Sequence, residues 1–325
     1  MDGRLLQKGR NTIATPKNLG LPAVIRSKGG TTMQLVLQAI LDGILLGGVY
    51  ATLGLGLSIA YGIMHIINWA TGETLILGMY ISYLLIRGYG MDPYVTIFFT
   101  FILLGALGFI LQKTMINRII ERSGDRAGPN VLLFTAGLGY IISSALEMIF
   151  GTLSVSPATS YAGKSIAIGS LYAPLPKLIS CGIAVVATVL LYFFMHKSEL
   201  GRAIRATAQD RSTAQLMGIN SKLMFCIAFG LGFALLGLTA SLLIPYYPFT
   251  PHIGTSFSFK AFIIVVVGGV GNVRGALIGG MFIGLVEKIL GSLVSDSFAQ
   301  IMVFCLLIVV LLVRPDGLLS KRVKA

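Results

Sequence analysis

Apolar residues in this chain come in long blocks, not in the alternating or one-faced patterns of soluble folds. Apolar runs cover roughly 35–60, 74–86, 94–111, 131–150, 178–195, 223–244, 261–271, 275–286 and 298–313, and most approach the ~20 residues a helix needs to cross a bilayer core. Period-two alternation over segments of ~10 residues, the mark of a membrane barrel, is absent. An open sheet in lipid would leave backbone groups unpaired. The pattern predicts an all-α polytopic membrane protein with about nine transmembrane helices, eight and ten being the alternatives, some of them broken or re-entrant.

Two segments carry the expected breaks. In YGIMHIINWATGETLILGMY the apolar pattern is interrupted by Asn68, Thr71, Gly72 and Glu73; in KAFIIVVVGGVGNVRGALIGGMFIG a short run stops at Gly268, Gly269 and Gly271, followed by Asn272 and Arg274. Broken helices at membrane depth are tolerated only where the backbone is buried in protein or lines a cavity. NWATGETLILGM and NVRGALIGGM resemble each other loosely, one in each half of the chain, and interrupted segments in corresponding positions point to a transport site.

Composition agrees: 325 residues are 55% hydrophobic and 11% charged, with a mean hydropathy of +0.86, too apolar for one water-soluble core. The net charge of +13 is sorted along the chain. Lys113, Arg118, Arg122 and Arg126 share one loop, Lys197, Arg202, Arg205, Arg211 and Lys222 a second, and Arg314, Lys321, Arg322 and Lys324 the C-terminus. The positive-inside rule makes all three segments cytoplasmic. At the front the parity conflicts, because three runs precede Lys113 while residues 1–32 are strongly basic. Either 60–73 hides an extra crossing or the tail is no topology signal. Met33 offers an alternative start. The expected organisation is a basic extension over 1–32, a transmembrane domain over 33–319 and a short basic tail over 320–325.

Cys181, Cys226 and Cys305 lie inside apolar runs at no motif spacing and read as packing residues. The 40 glycines include Gly43 and Gly47, Gly271, Gly275 and Gly279, and Gly280 and Gly284, spaced for close helix contact. The loop 151–177, rich in Ser, Pro and Gly, reads as a cover over a pathway or as a connection.

Glu73 is the leading chemical candidate, since a carboxylate within a span is costly unless paired, protonated or wetted; a position at the water interface is the plainer reading. Asp42 and Glu147 are isolated and fit the same cavity, whereas Glu287, beside Lys288, reads as a boundary residue. His65, His196 and His252 are scattered and form no ligand set. Gly269 and Gly271 begin a dinucleotide fingerprint, but Arg274 replaces its third glycine and no strand precedes it, and no Walker A sequence occurs. Neither bond chemistry nor a cofactor is expected.

The stretch GRAIRATAQDRSTAQLMGIN, residues 201–220, is polar and helix-favouring. Ser198 predicts an N-cap and Gly218 a stop, with Arg202, Arg205, Gln209 and Ser212 along one side and Ala203, Ala206, Ala214 and Met217 along another. A solvated face and a docking helix fit equally. This stretch resembles the cytoplasmic coupling segment of permeases of the branched-chain amino-acid ABC importer family, specifically the H-type subunit. INWATGE resembles that family's I-N-F-A-H-G-E motif, and GGVGNVRGALIGGMFIGLVE its glycine-rich late motif. The match spans about Met33 to Leu319. Thr71 replaces the family's usual histidine and Trp69 its phenylalanine, so a role resting on that histidine does not transfer; Arg274 and residues 1–32 also depart from the pattern.

The resemblance implies a transmembrane subunit of a bacterial or archaeal cytoplasmic-membrane importer. Its partners would be a second related permease, two cytoplasmic ATPases and an extracytoplasmic solute-binding protein. The implied solutes are branched-chain amino acids, with urea, short amides or sugars as alternatives, and the competing class is a stand-alone ion-coupled carrier or channel using Glu73. The expected coupling residues are Arg202, Arg205, Asp210 and Gly218 within a helix at about 198–218. The expected pathway residues are Asn68, Thr71, Gly72 and Glu73, with Gly268, Gly269, Gly271 and Asn272 opposite.

Overall fold

The computed structural model describes residues 32–156, 163–168, 171–269 and 271–313; the basic N-terminal extension up to residue 31 and the basic C-terminal residues lie outside them. The helices are α1 (Thr32–Met64), α2 (Thr71–Tyr89), α3 (Thr96–Leu111), α4 (Asn117–Ser123), α5 (Ala127–Phe150), α6 (Leu175–Lys197), α7 (Glu199–Gln209), α8 (Arg211–Leu216), α9 (Ser221–Leu243), α10 (Gly254–Gly268), α11 (Val273–Leu293) and α12 (Asp296–Val313). An antiparallel hairpin, β1 (Ser165–Ile168) with β2 (Leu171–Pro174), lies between α5 and α6. Eight helical segments among the described residues are long and apolar enough to cross a membrane. The remaining apolar run is α2, 19 residues long, which starts inside the bundle.

At one end of the bundle α1 is fastened to the hairpin. Gln38 Nε2 donates to the Tyr172 carbonyl at 2.7 Å, Gln38 Oε1 accepts from the Tyr172 N–H at 3.0 Å, and Lys177 pairs with Asp42 at 2.6 Å. Asp42 thus holds Lys177 in the first turn of α6 and does not line the cavity beside Glu73. At the other end Ile204 of α7 packs with Ile63 of α1, Met195 of α6 and Phe225 of α9. Both basic loops within the described residues share this α7 end: Lys222 pairs with Glu121 at 2.7 Å, and Asn117 Nδ2 donates to Cys226 Sγ at 3.4 Å. No extra crossing hides in 60–73. Helix α1 runs from the hairpin end to Met64, His65 adopts a left-handed φ of 54°, and residues 65–70 climb back to the start of α2.

Glycine spacing does the work expected of it. A Cβ on Gly284 would lie 2.5 Å from the Gly47 Cα, one on Gly280 2.4 Å from the Ala51 N, and one on Gly275 1.7 Å from the Gly268 carbonyl oxygen. These contacts let α1 and α11, and α10 and α11, meet backbone to backbone, as association in lipid requires. Of the cysteines, Cys181 fills the space over Gly48 and Cys226 is buried, but Cys305 is exposed.

Glu287 is not a boundary residue. It is 8% exposed and lies 2.8 Å from Lys260 Nζ, itself 5% exposed. The sequence pattern hid this pair because Lys260 sits one residue before an apolar run and Lys288 offered Glu287 a nearer explanation.

Overpacking a tight core site costs about 1–3 kcal/mol. Gly275→Ala is therefore expected to lower the thermal unfolding midpoint of the purified permease by several degrees. Gly88→Ala, whose Cβ meets nothing within 4 Å, should leave it unchanged; equal midpoints would contradict the close α10–α11 approach.

Candidate functional site

Two helices begin inside the bundle, and their first turns meet. The start of α2 is shaped by Asn68, whose Oδ1 accepts from the Ala70 N–H at 3.1 Å and whose carbonyl accepts from the Thr71 hydroxyl at 2.8 Å. The start of α10 follows a 3-10 turn at Pro251–Ile253. Gly72 and Gly254 allow contact between them: a Cβ on Gly72 would fall 1.8 Å from the Gly254 carbonyl oxygen and one on Gly254 3.1 Å from the Glu73 N.

Glu73 occupies the junction, 6% exposed. Its Oε1 accepts from the Thr255 hydroxyl at 3.1 Å and its Oε2 lies 3.0 Å from Ser258 Oγ. Ser258 Oγ also accepts from the Gly72 N–H at 2.8 Å and lies 2.9 Å from the Trp69 carbonyl oxygen, so its single proton is shared between that carbonyl and Glu73. Thr135 of α5 receives the Trp69 N–H at 3.1 Å. The carboxylate thus sits at the positive ends of two helix dipoles and against two hydroxyls, with no cationic side chain among the described residues bonded to it. Placing a charge at mid-membrane costs about 3 kcal/mol on insertion scales. Hydrogen bonds to charged groups contribute about 1.5–3 kcal/mol each, the same scale as that cost.

Above Glu73 lies a cavity of ≈ 240 Å³ lined by Trp69, Ala136, Gly139, Tyr140, Ser143 and Ser144 along with Glu73, Thr255 and His252. At about 30 Å³ per water, it holds a solute the size of several waters. Gly139, midway along α5, leaves room for the carboxyl, which a Cβ would meet at 3.4 Å. At the lip His252 Nε2 lies 3.2 Å from Glu147 Oε1, and the Ser143 hydroxyl donates to the Pro251 carbonyl at 3.2 Å. Glu147 therefore reaches the cavity only through His252 and does not itself line it.

Asn68, Thr71 and Gly72 build the start of α2 and only Glu73 of that group lines the cavity, while Gly268, Gly269, Gly271 and Asn272 do not face them. They lie at the far end of α10, about 15 Å along the helix from Ser258 at 1.5 Å per residue. There Gly268 abuts Gly275, Gly271 abuts Gly62, and Asn272 Oδ1 caps α11 by accepting from the Arg274 N–H at 3.1 Å. Gly269 and Gly271 take φ of 86° and 73°, so this cluster turns the chain between α10 and α11. Asn68 and Asn272 each accept an N–H two residues on, Asn272 as the N-cap of α11 and Asn68 in the turn before α2. What faces Glu73 is Gly254, Thr255 and Ser258. The hydroxyl-rich GTSFS, set between Pro251 and an apolar run, was the available signal.

The expected helix at 198–218 is two helices. Ser198 Oγ caps α7 by accepting from the Gly201 N–H at 2.9 Å. Asp210, in extended conformation, ends α7 and caps α8, its Oδ1 accepting from Ser212 and Thr213 N–H at 2.8 and 3.2 Å and its Oδ2 from the Thr213 hydroxyl at 2.6 Å. The break removes Ser212 from the line of Arg202, Arg205 and Gln209. Gly201, Ile204 and Thr207 face inward, and a Cβ on Gly201 would lie 2.4 Å from the Phe194 carbonyl oxygen. Arg202 and Arg205 are exposed; Met217, set by spacing on one side with Ala203, Ala206 and Ala214, is 78% exposed. Gly218 ends the segment at φ 83°.

The family model for "Branched-chain amino acid transport system / permease component" matches residues 39–311. The chain belongs to this family. The high-affinity branched-chain amino acid transport system permease protein LivH of Salmonella typhimurium is 30% identical over 296 residues, covering 88% of this chain and 96% of the relative. BraD of Pseudomonas aeruginosa, of the same description, is 31% identical, again over 88% of this chain and 96% of its own. LivM of Escherichia coli, a permease protein of the same kind of system, is 22% identical over 96% of this chain and 80% of its own. Comparison with solved structures found no match. Within this permease-family chain, Thr71 stands where the family motif usually has histidine. Its hydroxyl bonds back to Asn68, a helix-starting role that leaves the Glu73 contacts to Thr255 and Ser258.

The Thr213 hydroxyl and N–H, together with the Ser212 N–H, hold the Asp210 carboxyl below the usual aspartate range. A depressed value means the cap is fully present above that range and is lost as pH falls through the lowered value. Asp210→Ala is expected to speed amide exchange across 211–216 at neutral pH, while Asp210→Asn keeps most of the protection. Unchanged exchange in the alanine variant would remove the capping role.

Proposed function

We propose that this chain is the transmembrane permease subunit of an ABC importer for branched-chain amino acids or related small polar solutes. The observation that carries the reading is the buried Glu73 at the meeting of two interrupted helices, beside a cavity that opens on the exposed face of α5. Interrupted helices whose starts line a cavity are how transporters build midplane solute sites. Glu73 offers a carboxylate to an ammonium group, and Trp69, Ala136 and Tyr140 offer apolar surface to a side chain.

The α5 face supports a second related permease as partner. Ser143, Ser144, Glu147 and His252 give it polar and ionisable groups at a level where lipid contact is costly, so a neighbouring subunit and a watered pathway cover it. Two ATPases on the cytoplasmic side dock on α7 and α8, where Arg202 and Arg205 point outward and Asp210 and Gly218 set the bend and the exit. ATP hydrolysis belongs to those partners. An extracytoplasmic solute-binding protein delivers the solute at the hairpin end. The protein resides in the cytoplasmic membrane, its C-terminus on the side of the basic loops.

The test is uptake of radiolabelled leucine, isoleucine and valine by the chain reconstituted with its second permease, ATPases and binding protein. Glu73→Gln is expected to assemble normally and to lower uptake at least tenfold, a loss of ~1.4 kcal/mol or more; wild-type uptake would remove the carboxylate from the pathway. Arg205→Glu should leave expression intact and sharply reduce solute-stimulated ATP hydrolysis, and undiminished stimulation would exclude its docking role.

A further inference from the structure

Helix α10 has two functional faces. Gly254, Thr255 and Ser258 look toward α2 and Glu73. Lys260, two residues past Ser258 and so ~200° around the helix, looks the other way into the core between α1 and α11. There Lys260 Nζ lies 2.8 Å from Glu287 Oε1 of α11 and donates to the Tyr50 hydroxyl of α1 at 3.0 Å, while the Tyr50 hydroxyl lies 3.2 Å from the same Glu287 oxygen. The ammonium also sits over the rings of Tyr50 and Phe257, 5.2 and 5.5 Å from their centroids.

Stability does not account for this pair. A buried ion pair is often matched or exceeded by apolar residues of similar volume, and Glu287 Oε2 is buried with no hydrogen-bond partner among the described residues. A partly satisfied network is a poor way to hold a fold. What an ion pair adds over apolar packing is a fixed register. The helix it fixes is short, starts inside the bundle, and bears at that start both hydroxyls that hold Glu73. The close-packed α1–α11 pair, joined through Gly43, Gly47, Gly280 and Gly284, is the rigid body to which the register is referred.

We propose that Lys260 and Glu287, with Tyr50, form an anchor that sets the height and rotation of α10 and so positions Thr255 and Ser258 on Glu73. Lys260 and Glu287 are positioning residues that act through Ser258, and the proposal rests on the reading of Glu73 as a pathway residue. The test uses the reconstituted assembly and compares the charge-free pair Lys260→Met with Glu287→Met, Ser258→Ala, and the triple combination. Assembly, the solute concentration at half-maximal uptake and the maximal rate are read for each. The charge-free pair is expected to assemble in wild-type amount and to raise the half-saturating concentration at least tenfold. Ser258→Ala should do the same, and the triple variant no worse than either, because the two changes act through one contact. Lys260→Arg, which keeps the charge, should stay within threefold of wild type.

Wild-type uptake in the charge-free pair would overturn the anchor. So would failure of that pair to assemble, which would make it a folding element, and so would losses that multiply in the triple variant. If Ser258→Ala itself transports normally, the pathway reading fails and the anchor with it. Normal transport in the charge-free pair alongside a defective Ser258→Ala leaves the pathway standing and removes only the anchor.

Discussion

A helix that begins inside an apolar bundle leaves N–H groups unpaired at its first turn, and each such buried group costs about 1–3 kcal/mol. Here the start of α2 meets this constraint on the first turns of α10 and on its neighbours. Ser258 of α10 accepts the Gly72 N–H of α2, Thr135 of α5 accepts the Trp69 N–H, and Asn68 accepts the Ala70 N–H. Glu73 is the one carboxylate at the junction, compensated by two hydroxyls and two helix dipoles. Remove the contact of Gly72 with Gly254 and neither helix start can be placed.

That junction depends on a scaffold of unusual closeness. Glycines on α1 and α11 bring those helices into backbone contact, and α9 packs along α1 and α3 to complete the core. Against it α10 is held from one face by Lys260 and Glu287, leaving the other free for the site. In contrast α5 is mostly exposed, yet it supplies one wall of the cavity and, through Glu147, the partner of His252 at its lip. A wall that is also a surface is the face that the proposed second permease would cover.

Much of this was legible from the sequence. Run lengths gave the all-α, many-span architecture, with eight spans and the buried α2 among the described residues; four-residue glycine spacing marked close helix contact without naming the partners, and the polar break around Asn68 and Glu73 marked the interrupted start of α2. Ser198 and Gly218 marked the limits of the α7–α8 segment because capping is local chemistry. The other half of the site escaped because it rests on tertiary contact. The glycine cluster at 268–272 looks like a binding loop, but its positive φ values serve a turn. The partners of Glu73 lie more than 180 positions away, at Thr255 and Ser258, at the start of the same helix. The break at Asp210 was masked by good helix formers on both sides, and Lys260 by the apolar run that follows it.

The most direct test of the account is whether water and solute reach the cavity between α5 and α10 in the assembled importer. A single cysteine at Ser143→Cys, in a background lacking the three native cysteines, would be treated with a membrane-impermeant thiol reagent after reconstitution with the partner subunits. Val186→Cys on the exposed side of α6 serves as the lipid-facing reference. The account predicts that Ser143→Cys reacts, that loaded binding protein and ATP change its rate, and that Val186→Cys does neither. A Ser143→Cys variant as inert as Val186→Cys would place this face in lipid and contradict the pathway.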